Sequence, residues 1–104
     1  MANKIEFEER KAVYADALKT WGADAQLVVA LEELSECAKE ICKALRGKVN
    51  IDNLAEEVAD ATIMLEQVRQ IFAINGRVCA IMDSKIDRLR DRLEDYRRNY
   101  VRKM

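Results

Sequence analysis

No proline occurs in the 104 residues, and glycine stands only at positions 22, 47 and 76. Proline breaks helices and glycine frees the backbone for turns. The chain can therefore run as long helices with three marked places to stop. The same scarcity argues against an all-β chain, which needs a turn residue every few positions. Half of the residues are hydrophobic, enough for a core, and 36% are charged, enough for a well-solvated exterior.

Apolar periodicity resolves the text into four helices. The first is expected over residues 4–20, carrying Ile5, Phe7, Tyr14 and Leu18 and leading to Trp21, with Gly22 as its break. Asp24 is suited to cap the second helix. That helix runs to about Arg46, where Gly47 is a natural stop. Its apolar seam is Leu27, Leu31, Leu34, Ala38, Ile41 and Leu45. Asn50 or Asp52 caps a third helix with the seam Ile51, Leu54, Val58, Ala61, Leu65, Val68 and Phe72. Asn75-Gly76 reads as a helix end and short turn. A fourth helix follows, with Met82, Ile86, Leu89, Leu93, Tyr96 and Tyr100. Four amphipathic helices joined by short loops predict an all-α chain, a single domain over 1–104 arranged as an antiparallel four-helix bundle.

Charge and composition exclude several functions. With 18 basic and 19 acidic residues, the net charge of −1 gives no global attraction to nucleic acid or to an anionic membrane surface. No apolar run approaches the ~18–20 residues of a membrane span. The opening "MANKIEFEERK" has no apolar stretch of the secretory kind. Cys37, Cys42 and Cys79 are an odd, unclustered set that suits a reducing cytosol, and they read as small buried apolar residues. Histidine is absent, so there is no Ser-His or Cys-His nucleophile pair and no His-ligated zinc. A metal held here would have oxygen ligands, which points to magnesium or manganese.

The acids to place are those of "ALEELSECAKE" and "LAEEVADATIM". Glu33 with Glu36, and Glu57 with Asp60, are i, i+3 pairs lying about 60° apart on their helices. On the second helix the pair lies opposite the Leu31/Leu34 seam, yet Val29 points the same way. On the third, Ile63, Met64, Ile71 and Ile74 share the side of Asp60. Both central helices thus carry a second apolar face with acids embedded in it. That surplus predicts a homo-oligomer, dimer or tetramer, whose interface covers the second faces. Carboxylates about 5 Å apart at an effective dielectric near 20 repel by on the order of 3 kcal/mol per pair. A divalent cation at their centre removes that cost, and four carboxylates supply most of an octahedral shell. Ordinary surface acids also fall at this spacing, as Asp91 and Glu94 do. Spacing alone leaves both readings open; the apolar setting favours the cation.

"EELSE" (Glu32, Glu33, Glu36) followed by "EVAD" (Glu57, Asp60) resembles the E-E-x-x-E … E-x-x-D signature of the all-α nucleoside triphosphate pyrophosphohydrolases. This is the MazG-like superfamily, related to the dimeric dUTPases and the dCTP pyrophosphatases. Trp21-Gly22 before the first acidic helix and Asn75-Gly76 before the last extend the likeness over most of the chain. The resemblance implies that Glu33, Glu36, Glu57 and Asp60 are magnesium ligands. It further implies that Glu32 activates the attacking water. "DSKIDR" is similar to the family pattern N-x-K-F-x-R, which makes Lys85 and Arg88 phosphate contacts. Asp83 stands where that pattern has asparagine, Ile86 where it has the aromatic, and Leu89 where it has a second arginine. The implied reaction hydrolyses a nucleoside triphosphate to the monophosphate and pyrophosphate, as in clearing non-standard nucleotides from the pool. The chain has no G-x-x-x-x-G-K-[ST] loop, so it is not of the P-loop kind.

Trp21 is placed to stack on a nucleobase or to staple the first helix to the core or to a neighbouring subunit. Lys39 and Lys43 follow the acidic motif and either meet phosphates or, as the favoured expectation, pair as solvated partners with Glu36 and Glu40. The basic residues of the last helix are expected to pair with its interleaved acids at i, i+4. A catalytically silent helical oligomerisation module of the same fold is the rival reading. The four acids speak against it, because such a module has no use for them.

Overall fold

The computed structural model describes the backbone of residues 7–103 and the side chains of residues 8–101. Ile5, with the expected start of the first helix, and the side chains of Phe7, Arg102 and Lys103 lie outside the described residues. The chain is all-helical, with no strand among the described residues: α1 Phe7–Trp21, α2 Ala23–Leu45, α3 Ile51–Ile71 and α4 Asn75–Lys103. It divides into two units, Met1–Ala73 and Ile74–Met104.

Gly22 alone separates α1 from α2. Its φ of 86° lies in the left-handed half of backbone space that glycine enters without strain. Its N–H closes α1 on the Leu18 carbonyl, and its carbonyl accepts the first α2 bond, from Gln26. Gly22 is thus itself the N-cap of α2 and offers no side-chain cap; Asp24, expected there, lies inside the first turn. Its carboxylate still complements the positive end of the helix dipole.

α2 ends as its sequence predicts. Gly47 has φ 75°, its N–H reaches the Ala44 carbonyl, and the Lys48 N–H reaches that of Lys43. This paired closure is the Schellman motif. Of the two expected caps for α3, Asn50 fills the role: its side chain accepts from the Asn53 N–H at 3.0 Å. α3 stops at Ile71, before Asn75-Gly76. The left-handed residue is Ala73, at φ 54°, a conformation that costs a residue with a Cβ roughly 1 kcal/mol. Asn75 and Gly76 already belong to α4, whose first bond runs from the Val78 N–H to the Ile74 carbonyl. The dipeptide expected to make the turn therefore opens a helix.

Within Met1–Ala73, α2 and α3 form the main contact, and α1 touches both. α2 and α3 run antiparallel: Gln26 near the start of α2 meets Gln67 near the end of α3, and Glu33 meets Asp60. The face of α2 turned inward carries Gln26, Ala30, Glu33, Cys37, Glu40 and Ala44, again in steps of four and three. Ala30, Ala61 and Met64 are the buried apolar residues of the pair, and the small alanines let the two backbones approach.

This reverses the sequence-based assignment of faces. The acid-bearing face of α2, expected to meet another subunit, is the one that meets α3. The leucine seam, expected to be core, is open: Leu31 is 69% exposed and Leu45 84%. On α3 the expected seam splits by heptads. Leu54, Ala61 and Val68 turn inward, while Ile51, Val58, Leu65 and Phe72 are exposed. α1 packs through Tyr14, which is buried, and through half-buried Ala17 and Leu18. The Tyr14 hydroxyl donates to Glu66 of α3, and Arg10 binds the same carboxylate oxygen at 3.3 Å. The Gln70 amide donates to the Lys11 carbonyl at 3.0 Å.

Candidate metal centre

Two turns after Gln26 on α2 and two turns before Gln67 on α3, the antiparallel register brings carboxylates face to face. One oxygen from each of Glu33, Glu57 and Asp60 lies within 4.8 Å of the others. All three residues are half-buried. Partial burial disfavours the charged form of Glu33 and raises its pKa above the ordinary 4.5. The charges of Asp60 and Glu57, a hydrogen bond with Asp60 and the charge of Glu32 push it the same way. Glu57 is raised too, by burial first and then by Asp60, Glu36, Glu56 and Glu40. Its Oε2 is buried and has no hydrogen-bond partner. A buried carboxylate oxygen without a donor costs free energy, and among acidic neighbours either a proton or a bound cation relieves it.

Three of the four expected ligands converge. Glu36, the fourth, is exposed and outside the cluster, although its charge is felt at Glu57. Glu32 is exposed beside Glu33. Glu40, which the acidic motifs did not include, is buried at 8% exposure and bound to Lys43 at 3.2 Å. Its signal was the inward spacing that runs Glu33, Cys37, Glu40. The expected Lys43–Glu40 pair is therefore present.

Asp83, Lys85 and Arg88 are exposed residues of α4. Among the described residues, Arg90 pairs with Asp87 at 3.2 Å and Arg98 with Asp95 at 3.4 Å along α4, both at i, i+3, where i, i+4 was expected. Trp21 ends α1 at 66% exposure, so it does not staple that helix into the core of its own chain. Cys37 is half-buried and Cys42 and Cys79 are exposed, against the expectation of three buried apolar residues; all three are free thiols.

The chain matches no protein-family model, no curated protein and no solved structure.

The donor set itself fits a hard divalent ion. All three groups are carboxylates, the donors that magnesium and manganese take. Opposite ligands of an octahedral magnesium ion stand about 4.2 Å apart and adjacent ones about 3 Å. Three oxygens within 4.8 Å of one another stand close to such spacings. Three protein ligands would leave half of the shell to water or to the oxygens of a phosphate.

Proposed function

We propose that the chain is a magnesium- or manganese-dependent nucleoside triphosphate pyrophosphohydrolase, releasing pyrophosphate and leaving the monophosphate. One observation carries this reading: Glu33, Glu57 and Asp60 face one another across α2 and α3, with Glu57 Oε2 buried and unpartnered. The resemblance of "EELSE" and "EVAD" to the pyrophosphohydrolase signature gives that cluster its chemistry.

In this reading Glu33, Glu57 and Asp60 hold the ion, with Glu36 at its edge. The bound ion would neutralise the polyphosphate and stabilise charge developing on it. Glu32, exposed next to Glu33, accepts the proton of the attacking water. The resemblance to the N-x-K-F-x-R pattern gives Lys85 and Arg88 of α4 the role of phosphate contacts and Asp83 that of a further acid, while the exposed indole of Trp21 offers a stacking surface for a base. No protein nucleophile is needed, in keeping with a chain that has no histidine. The antiparallel bundle, completed between copies, and the homo-oligomer, dimer or tetramer, belong to the same proposal. The exposed seam Leu31, Leu34, Ile41 and Leu45, with Ile51, Val58, Leu65 and Phe72, supports an interface along the central helices.

The deciding experiment is a panel of ribo- and deoxyribonucleoside triphosphates with magnesium or manganese, scored for pyrophosphate against phosphate release. Pyrophosphate release that depends on the ion is the expected result. A chain that binds the ion and turns over no nucleotide would instead be the silent oligomerisation module. The exposure of Glu36 outside the cluster is the observation that favours that second reading.

A further inference from the structure

The apolar residues of α4 recur at Met82, Ile86, Leu89, Leu93, Tyr96 and Tyr100, in alternating steps of four and three. A strict repeat of 3.5 residues is the pattern of a coiled-coil seam. Ile86, Leu89, Leu93, Tyr96 and Tyr100 are between 44 and 70% exposed. With Ile86 and Leu93 at heptad position a, Leu89 and Tyr96 fall at d and Arg92 at g. Leu89, Arg92, Leu93 and Tyr96, with Asp95 at the margin, line a concavity of about 390 Å³. A d-g-a-d quartet is the hole that receives a knob from a facing helix.

The flanks choose the occupant and its direction. Positions e are Asp83, Arg90 and Arg97; positions g are Lys85, Arg92 and Asn99. A parallel pair sets g of one helix against the following e of the other. That would oppose Lys85 to Arg90 and Arg92 to Arg97, with every contact repulsive. An antiparallel pair sets e against e and g against g. Asp83 then meets the partner subunit's Arg97 at both ends, and Lys85 meets the partner subunit's Asn99. Only Arg90 and Arg92, at the centre, face their own copies. The seam agrees: antiparallel layers put Leu89 on the partner subunit's Leu93, and Tyr96 on the partner subunit's Ile86.

We propose that α4 pairs antiparallel with α4 of a second copy of this chain. The ends are fixed by Asp83 and Arg97, and the centre by Leu89 and Leu93. This contact is independent of the proposed chemistry and adds a second association surface to that of the central helices.

The test is sedimentation equilibrium of the full chain, with association as the only readout. Leu93→Glu should halve the assembly mass while the helical circular dichroism is kept. An unchanged mass would overturn the proposal, as would a wild-type chain that stays monomeric. Because Leu93→Glu could also unravel α4, charge exchange supplies the second arm. Asp83→Arg and Arg97→Asp should each raise the dissociation constant about tenfold, since each turns two attractive pairs repulsive. Combined in one chain they should restore wild-type affinity. Arg97→Asp that tightens association would make the pair parallel. Two losses that add without rescue would assign α4 to some other surface. Either result overturns the proposal.

Discussion

Gln26 of α2 donates to Gln67 of α3 across 2.7 Å, and both residues are buried. The pair fixes the register of the two helices, because a shift of one turn would leave two amides unsatisfied. Two turns along, the same register sets Glu33 against Asp60. Gln67 has a further partner in the Met64 sulfur, at 3.2 Å. The acidic centre is therefore held in place by a neutral hydrogen bond that stands apart from it.

Removing one partner should cost more than removing both. Gln26→Leu leaves a buried amide without its donor and should lower unfolding stability by about 1–3 kcal/mol. Adding Gln67→Leu should recover part of that loss, because no orphaned group remains. Urea unfolding of the two single variants and the double variant measures this. Equal, additive losses would deny the pair its role in setting register.

The raised pKa values of Glu33 and Glu57 fix the sign of a pH effect. Groups held above their ordinary 4.5 favour the fold while protonated. That contribution is complete below the unfolded value and is lost as pH rises through the raised, folded values. The metal-free chain should therefore lose melting temperature across that window. Magnesium or manganese should reverse the loss, because the ion binds the folded carboxylates in their charged form. Melting curves against pH, with chelator and with each metal, test it. A metal-independent profile would count against the centre.

Substitutions should sort by position. Asp60→Asn removes a converging ligand and relieves repulsion. It should abolish the metal-induced rise in melting temperature while the metal-free chain melts higher than wild type. If the proposed hydrolysis is present, turnover should fall at least ~100-fold. Glu36→Gln changes an exposed group outside the cluster and should weaken metal affinity less than Asp60→Asn. Calorimetric titration with manganese ranks the two; the reverse order would place the ion nearer Glu36.

Tyr14 offers a separate reporter on α1. Burial, then the hydrogen bond to Glu66 and the Glu66 charge, push its phenol from 10.0 up to about 12. An absorbance titration should show one late tyrosine step, at about 12. Stability should fall as pH rises from the unfolded value towards about 12, because the fold resists the phenolate. Tyr14→Phe should remove the late step and cost about 0.5–1.5 kcal/mol.

The helices and two of their three breaks were legible, because periodicity and glycine placement act locally. Asn75-Gly76 misled, since the dipeptide's preference for turns gave way to helix and Ala73 absorbed the left-handed residue instead. Which apolar stripe faced which neighbour was not legible. α2 has two stripes of equal period, and period does not say what covers a stripe. Counting apolar residues also passed over Gln26 and Glu40, polar groups that the inward face accepts because each has a partner. Glu33, Glu57 and Asp60 were found because i, i+3 spacing and adjacent helices suffice to bring them together. Glu36 was not separable from them, since about 60° around a helix decides between facing the neighbouring helix and facing open water.

Leu31 and Leu45 stand largely in water, as do Val58 and Phe72 on the neighbouring helix. Such a chain keeps much of its adhesive surface outside its own interior. If the proposed oligomer covers that surface, it lends the chain stability by mass action, and dilution should act on it as a mild denaturant. Its resistance to heat would then belong to a population at a stated concentration and not to a lone molecule.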